Sequence, residues 1–167
     1  TQWSLKGGNV WPPNPTWQQG KWEGVTLAPP VERWFVEVEG DLGEMQANDI
    51  SRVSVEMHYP LFGQEKFTVV ALSPGKGESL VGTPIYVDRG TRGFAYRLIV
   101  HHKKDGRLAL PWNAQIGERY LYATLPPELL TAESPVRQEA KAAGAKLPEP
   151  GKEKVLNQFD ELFSNAN

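Results

Sequence analysis

The sequence predicts a mainly β protein: an antiparallel β-sandwich, preceded by an extended Trp/Pro-rich arm and followed by a short helical tail. Three observations carry that expectation. Residues 31–125 alternate apolar and polar side chains with a period of two. Turn residues break the alternation at short intervals. No helical pattern comes between the alternating runs, which argues against a parallel α/β sheet.

The arm is residues 1–30, with four tryptophans and five prolines. Pro12, Pro13 and Pro15 favour polyproline II, which has about three residues per turn. Trp11, Asn14 and Trp17 then share one edge, with the two rings about 19 Å apart. That spacing suits an arm stapled over a sheet at two points better than stacking on adjacent sugars. Trp11, Trp17 and Trp22 are therefore expected to cover the core. Docking into a partner is the rival, because "PPNP" is formally a PxxP element.

Strands follow in order. "VERWFVEVE" sets Trp34, Val36 and Val38 against Arg33, Glu37 and Glu39, with Phe35 the exception. "SRVSVEMHY" is the cleanest run: Val53, Val55, Met57 and Tyr59 face one way, and Arg52, Ser54, Glu56 and His58 the other. "KFTVVAL" is a third strand, and "TPIYV" a shorter one that Pro84 assigns to an edge or a strand start. "FAYRLIVHH" alternates Phe94, Tyr96, Leu98 and Val100 with Ala95, Arg97, Ile99 and His101. "KKDG" makes a hairpin turn, since Asp-Gly tolerates positive φ, and "RLAL" returns. "RYLYATL" is last. The predicted core is Trp34, Val36, Val53, Val55, Met57, Phe67, Tyr96, Leu98 and Val100.

Seven short strands in about 95 residues resemble an immunoglobulin-like or fibronectin-like module in architecture. There is no Cys…Trp…Cys spacing, so no true immunoglobulin domain is identified, and likeness of architecture carries no function.

The pattern changes at Pro126, which divides the chain into 1–30 (arm), 31–125 (sandwich) and 126–167 (helical tail with linker). "SPVRQEAKAAG" predicts a helix with Ser134 as N-cap, Pro135 in the first position and Gly144 past the end. "KLPEPGK" is a linker. A second helix is expected over 152–163, with Val155, Leu156, Phe159, Leu162 and Phe163 on one face. Such a stripe needs a surface to dock on.

Composition narrows the function classes. Hydrophobic residues at 40% and charged residues at 23% describe a globular chain able to bury a core. A net charge of −2 removes the usual electrostatic warrant for nucleic acid. The absence of cysteine excludes disulfides and thiolate chemistry. No apolar run approaches the roughly 20 residues of a membrane span. The chain begins at Thr1 without a signal-peptide pattern and reads as a piece of a longer protein.

The chemical constellations are thin. His101 and His102 are adjacent on a strand and point to opposite faces, so they are poor partners for one metal, even with His58 nearby. No G-x-S-x-G elbow is present, and "SPGKGESLVG" lacks phosphate-loop spacing. Glu37, Glu39, Asp41, Glu44 and Asp49 form an acidic stretch without an obvious cleft. Asp41, Glu44, Asn48 and Asp49 offer oxygens for Ca²⁺ but match no EF-hand loop, so a solvated acidic loop is expected. Arg89, Arg92, Arg97, Lys103, Lys104 and Arg107 make 89–107 basic, with Phe94 and Tyr96 interleaved as in single-strand nucleic-acid platforms. Those aromatics occupy the core face of their strand. No catalytic residue, metal or cofactor is predicted.

The expected function is a non-catalytic protein–protein interaction or structural module of a larger exported or cell-envelope protein, whether periplasmic, cell-surface or extracellular. Its docking stripe is Val155, Leu156, Phe159, Leu162 and Phe163, presented to a protein partner or a neighbouring module. The alternative is a carbohydrate-binding module that uses Trp112, Tyr120 and Tyr122 with Trp11, Trp17 or Trp22.

Overall fold

Period-two alternation in 31–125 becomes two main sheets in the computed structural model, which describes residues 3–4, 10–11, 31–158 and 161. The expectations placed on Trp17, Trp22, Phe159, Leu162 and Phe163 lie outside the described residues, as do those on the side chains of Trp11 and Leu156. Within the arm, β1 (Trp3–Ser4) pairs antiparallel with β2 (Val10–Trp11).

The first main sheet is built on β3 (Val31–Glu39), which buries Trp34, Val36 and Val38. It pairs antiparallel with β6 (Leu80–Asp88) and parallel with β10 (Tyr120–Tyr122), in the order β10-β3-β6. The parallel pair departs from the antiparallel expectation. Parallel neighbours need a long connection, and the 80 residues from Gly40 to Arg119 that separate these strands supply one.

The second sheet contains β4 (Ile50–Leu61), β5 (Gln64–Leu72), β7 (Gly93–His102) and β8 (Gly106–Ala109), in the order β5-β4-β7-β8. β9 (Asn113–Ile116), which the sequence pattern did not reveal, pairs with the N-terminal half of β7 while β8 pairs with its C-terminal half. The hairpin turn is where "KKDG" predicts it, with Gly106 at φ 75°.

The inward faces of both sheets contribute to one cluster, with Trp34, Val36, Val38 and Ile85 from the first and Val53, Val55, Met57, Leu72, Leu98 and Val100 from the second. Phe67 corrects the predicted core: the residue is 44% exposed. The register places Thr68 opposite Met57 and Phe67 opposite His58, so Phe67 belongs to the outer face and Val70 and Leu72 face inward.

Among the described residues, helices α1 (Leu42–Ala47), α2 (Pro127–Leu130) and α3 (Pro135–Ala145) pack on this framework, α1 against β4, α3 against β8 and α2 against α3. α1 occupies the acidic stretch expected to be a loop. Asp41 caps it by accepting from the Glu44 N–H at 2.9 Å, and Met45 drops into the core. α2 buries Leu129. α3 begins as predicted, with Ser134 accepting from the Arg137 N–H at 3.1 Å. Gly144 is not a terminator but lies inside α3, because a Cβ there would be 1.9 Å from the Arg107 carbonyl oxygen of β8. The glycine serves close helix–strand approach.

The tail also differs from expectation. Residues 152–155 are not helical, and Leu156–Gln158 form a single 3-10 turn. Among the described residues no helix is long and apolar enough to cross a membrane.

Candidate functional site

The alternation of β4 sends Ser54, Glu56 and His58 away from the core, and β7 sends Arg97 and Ile99 the same way. A half-buried strand predicts a solvated polar face here. Instead Glu56 and His58 are 1% exposed and Arg97 is 5% exposed. The chain following α3 crosses this face. Its Gly151 N–H donates to Glu56 Oε1 at 3.1 Å, and its Val155 N–H donates to Glu65 Oε1 at 2.9 Å.

Buried charges demand partners, and here each finds several. Arg97 donates from Nε and Nη2 to Glu56 Oε2 at 3.0 and 2.8 Å, and from Nη1 to Glu153 at 2.7 Å. Its guanidinium lies 4.3 Å from the centre of the Trp112 ring, and the Trp112 indole N–H donates to Glu153 at 3.1 Å. His58 stands between two carboxylates, with Nε2 2.9 Å from Glu56 and Nδ1 2.5 Å from Glu65. Two flanking acceptors require both ring nitrogens to carry protons.

Electrostatics agree with this geometry. Burial opposes charge on His58, but its bonds to Glu56 and Glu65 outweigh burial and raise its pKa. Burial likewise pushes Glu56 up, yet His58, Arg97 and the Gly151 N–H bring it down to about 2. The outcome is an imidazolium, a guanidinium and three carboxylates that saturate one another beneath the tail.

A groove of about 540 Å³ opens beside this network. Arg97, Leu110, Trp112, Ala140, Leu147 and Glu153 form much of its wall. The three donor nitrogens of Arg97 are already engaged, so the groove offers mainly apolar surface.

The outer side of the three-stranded sheet is different in character. Phe35, Tyr86, Tyr120 and Tyr122 stand there with between 43% and 50% of their surface exposed. The register interleaves them with carboxylates: Tyr120 lies beside Glu37, and Tyr122 beside Glu39. The Tyr120 hydroxyl donates to Glu39. Gly82 is part of this surface because a Cβ there would sit 2.5 Å from the Phe35 ring, which lies across it.

The structure thus divides the residues proposed for sugar binding. Tyr120 and Tyr122 flank the buried Leu121 and face outward from the three-stranded sheet. Trp112 is half-buried on the other sheet, with its ring 4.8 Å from that of His58. Val155, from the expected docking stripe, is 1% exposed and buried within its own chain.

The histidine pair does split across the sheet. His102 is buried beside Arg137 and Asp105, while His101 faces Arg52 and Ser54. Asp49 pairs with Lys103 and Lys104. Among the described residues no group of three or more His, Asp or Glu is arranged to hold a metal ion.

Sequence reasoning missed Glu65, Arg97 and Glu153 as members of one network. Alternation showed that Glu56, His58 and Arg97 avoid the core, but their meeting depends on the β4–β7 register and on the returning tail.

No family model matches the chain, and no curated protein or solved structure matches it.

Proposed function

We propose that the chain is a non-catalytic interaction module, built as a β-sandwich, that contacts a protein partner through the outer face of its three-stranded sheet. The observation that carries this is the row of Phe35, Tyr86, Tyr120 and Tyr122 held in the open on paired strands. Aromatic side chains give large contact area at little entropic cost and dominate interface energetics. The ionisable groups that are buried take a structural role, since Glu56, His58 and Arg97 spend their bonds on each other and on the tail.

A second reading, carbohydrate binding on this face, draws on one specific feature. Glu37 lies between Tyr120 and Gly82 across the sheet, so an exposed carboxylate adjoins exposed rings. Rings stack on the apolar side of a sugar, and the carboxylate accepts from its hydroxyls.

The experiment screens a displayed peptide library and a panel of soluble oligosaccharides against the chain and against Phe35→Ser/Tyr122→Ser. Both positions are exposed, so the variant should melt near the parent. Enrichment of a peptide motif that the variant fails to bind supports the interaction module. Oligosaccharide binding lost in the variant supports the second reading. Ligands that bind both chains equally, or no ligand of either class, overturn the assignment to this face.

A further inference from the structure

Beyond the aromatic face, the basic residues on the opposite sheet form an arrangement of their own. Arg52 pairs with His101 across β4 and β7, and His101 with Arg107 across β7 and β8, so all three share the outer face of the five-stranded sheet. Lys76 joins them from the 3-10 turn Pro74–Lys76 that follows β5. Two concavities adjoin here, of about 340 and 250 Å³, and both include Arg52, Ala71 and His101. Ser51, Ser73 and Lys76 complete the first. Ser54, Val69, Ile99, Arg107 and Pro150 contribute to the second.

We infer that these adjoining concavities form a binding site for a phosphate monoester, with the phosphoryl group held by Arg52, Lys76 and Arg107 and its organic body lying over Val69, Ala71 and Pro150.

Charge balance is the first reason. Among the described residues, no carboxylate lies within ion-pair distance of Arg52, Lys76 or Arg107, whereas Arg97, Lys103, Lys104 and Arg137 each have one. Glu56 also borders the second concavity, but Arg97, His58 and the Gly151 N–H occupy its oxygens. Arg52 borders both concavities, Lys76 the first and Arg107 the second, so three cations line the adjoining spaces without an ion-paired carboxylate. A doubly charged tetrahedral oxyanion answers that better than a single carboxylate, which would leave two of them uncompensated.

Positioning is the second. The Arg52 Nη2 lies 3.1 Å from His101 Nε2 and 3.4 Å from Nδ1, so the guanidinium rests against the imidazole. Ser54 Oγ lies 3.2 Å from the same Nε2 and also holds that ring. The remaining guanidinium N–H groups of Arg52 are left to grip an anion. Ser51 and Ser73 donate their hydroxyl protons to the His101 and Ser51 carbonyls, which ties β4, β7 and the β5–β6 connection together around the site.

Shape is the third. Val69, Ala71, Ile99 and Pro150 give the second concavity an apolar side next to its cationic end. An ester places its phosphate on the cations and its body on this side, whereas inorganic phosphate leaves it unused.

Isothermal titration with inorganic phosphate and with phenyl phosphate, at ionic strength held constant with chloride, tests the site. The expected result is saturable binding of both, tighter for phenyl phosphate. Arg52→Gln should weaken each by about tenfold or more, the loss of one charge-assisted contact. Lys66→Gln, outside both concavities, should leave binding unchanged. A thermal melt of each variant confirms that it is folded. No saturable binding, or equal weakening in Arg52→Gln and Lys66→Gln, overturns the site. Equal affinity for the two probes overturns the ester in favour of inorganic phosphate.

Discussion

Arg97 places two nitrogens on one oxygen of Glu56, and both residues are buried on the side of the sheet facing away from the hydrophobic core. Removing one member of a buried pair so that the other is left uncompensated costs about 3–5 kcal/mol, and the second partners, Glu153 on Arg97 and His58 on Glu56, hold the cost to the lower end of that range. Arg97→Met and Glu56→Leu should each destabilise by that order in urea denaturation. The double variant should be less destabilised than the sum of the singles, because it strands neither charge. Strict additivity would mean that the pair is not coupled.

The pH dependence of stability should carry opposite contributions from the histidines. His58 has its pKa raised above 6.5, so its contribution is complete below 6.5 and is lost as pH rises through the native value. Glu56, lowered to about 2, contributes above 4.5 and loses this as pH falls toward 2. His101 and His102 are both lowered from 6.5, chiefly by burial, so their effect is to weaken the fold as pH falls below 6.5. Ring-carbon NMR titration should show His58 protonating above 6.5 and the other two below it. Replacing His58 with Gln should remove the alkaline loss and leave the His101 and His102 contributions. A His58 titration below 6.5 would contradict the double carboxylate clamp.

The tail is held by backbone donors on carboxylates, so it should respond locally. Val155 donates to both Glu65 oxygens, at 2.9 and 3.2 Å. Glu65→Ala removes that acceptor and one of the two carboxylates on His58. Hydrogen exchange at the Val155 amide should accelerate by more than at the Val55 amide, which sits within the sheet. Equal acceleration at both would indicate global destabilisation instead.

Gly144→Ala should destabilise, although alanine is favoured over glycine in a helix by about 0.5–1 kcal/mol. The added Cβ would fall 1.9 Å from the Arg107 carbonyl oxygen, a backbone atom that cannot swing aside. Overpacking of this kind costs about 1–3 kcal/mol, so the net change should be a lower melting temperature. A higher one would mean that α3 can lift from β8 freely.

Local pattern and tertiary pairing divide the account of this protein between them. Alternation in "SRVSVEMHY" and "VERWFVEVE" determined which side chains enter the core, because a pleated strand sends neighbours to opposite faces whatever it pairs with. The Ser134–Pro135 start of α3 and the "KKDG" turn were equally local, fixed by a capping bond and by glycine's freedom at φ 75°. Phe67 was misplaced because its face depends on the register of β5 against β4, which the short run "KFTVVAL" does not specify. Gly144 looked like a stop because the carbonyl that demands it belongs to β8, 37 residues earlier at Arg107. The polar faces of β4 and β7 read as solvated, since alternation distinguishes core from not-core but cannot see a second cover. Only the tertiary structure brought Gly151, Glu153 and Val155 back over Glu56, His58, Glu65 and Arg97. That burial is stable because five charged side chains and two backbone donors meet at hydrogen-bond distance, a coincidence of distant segments that no local period encodes.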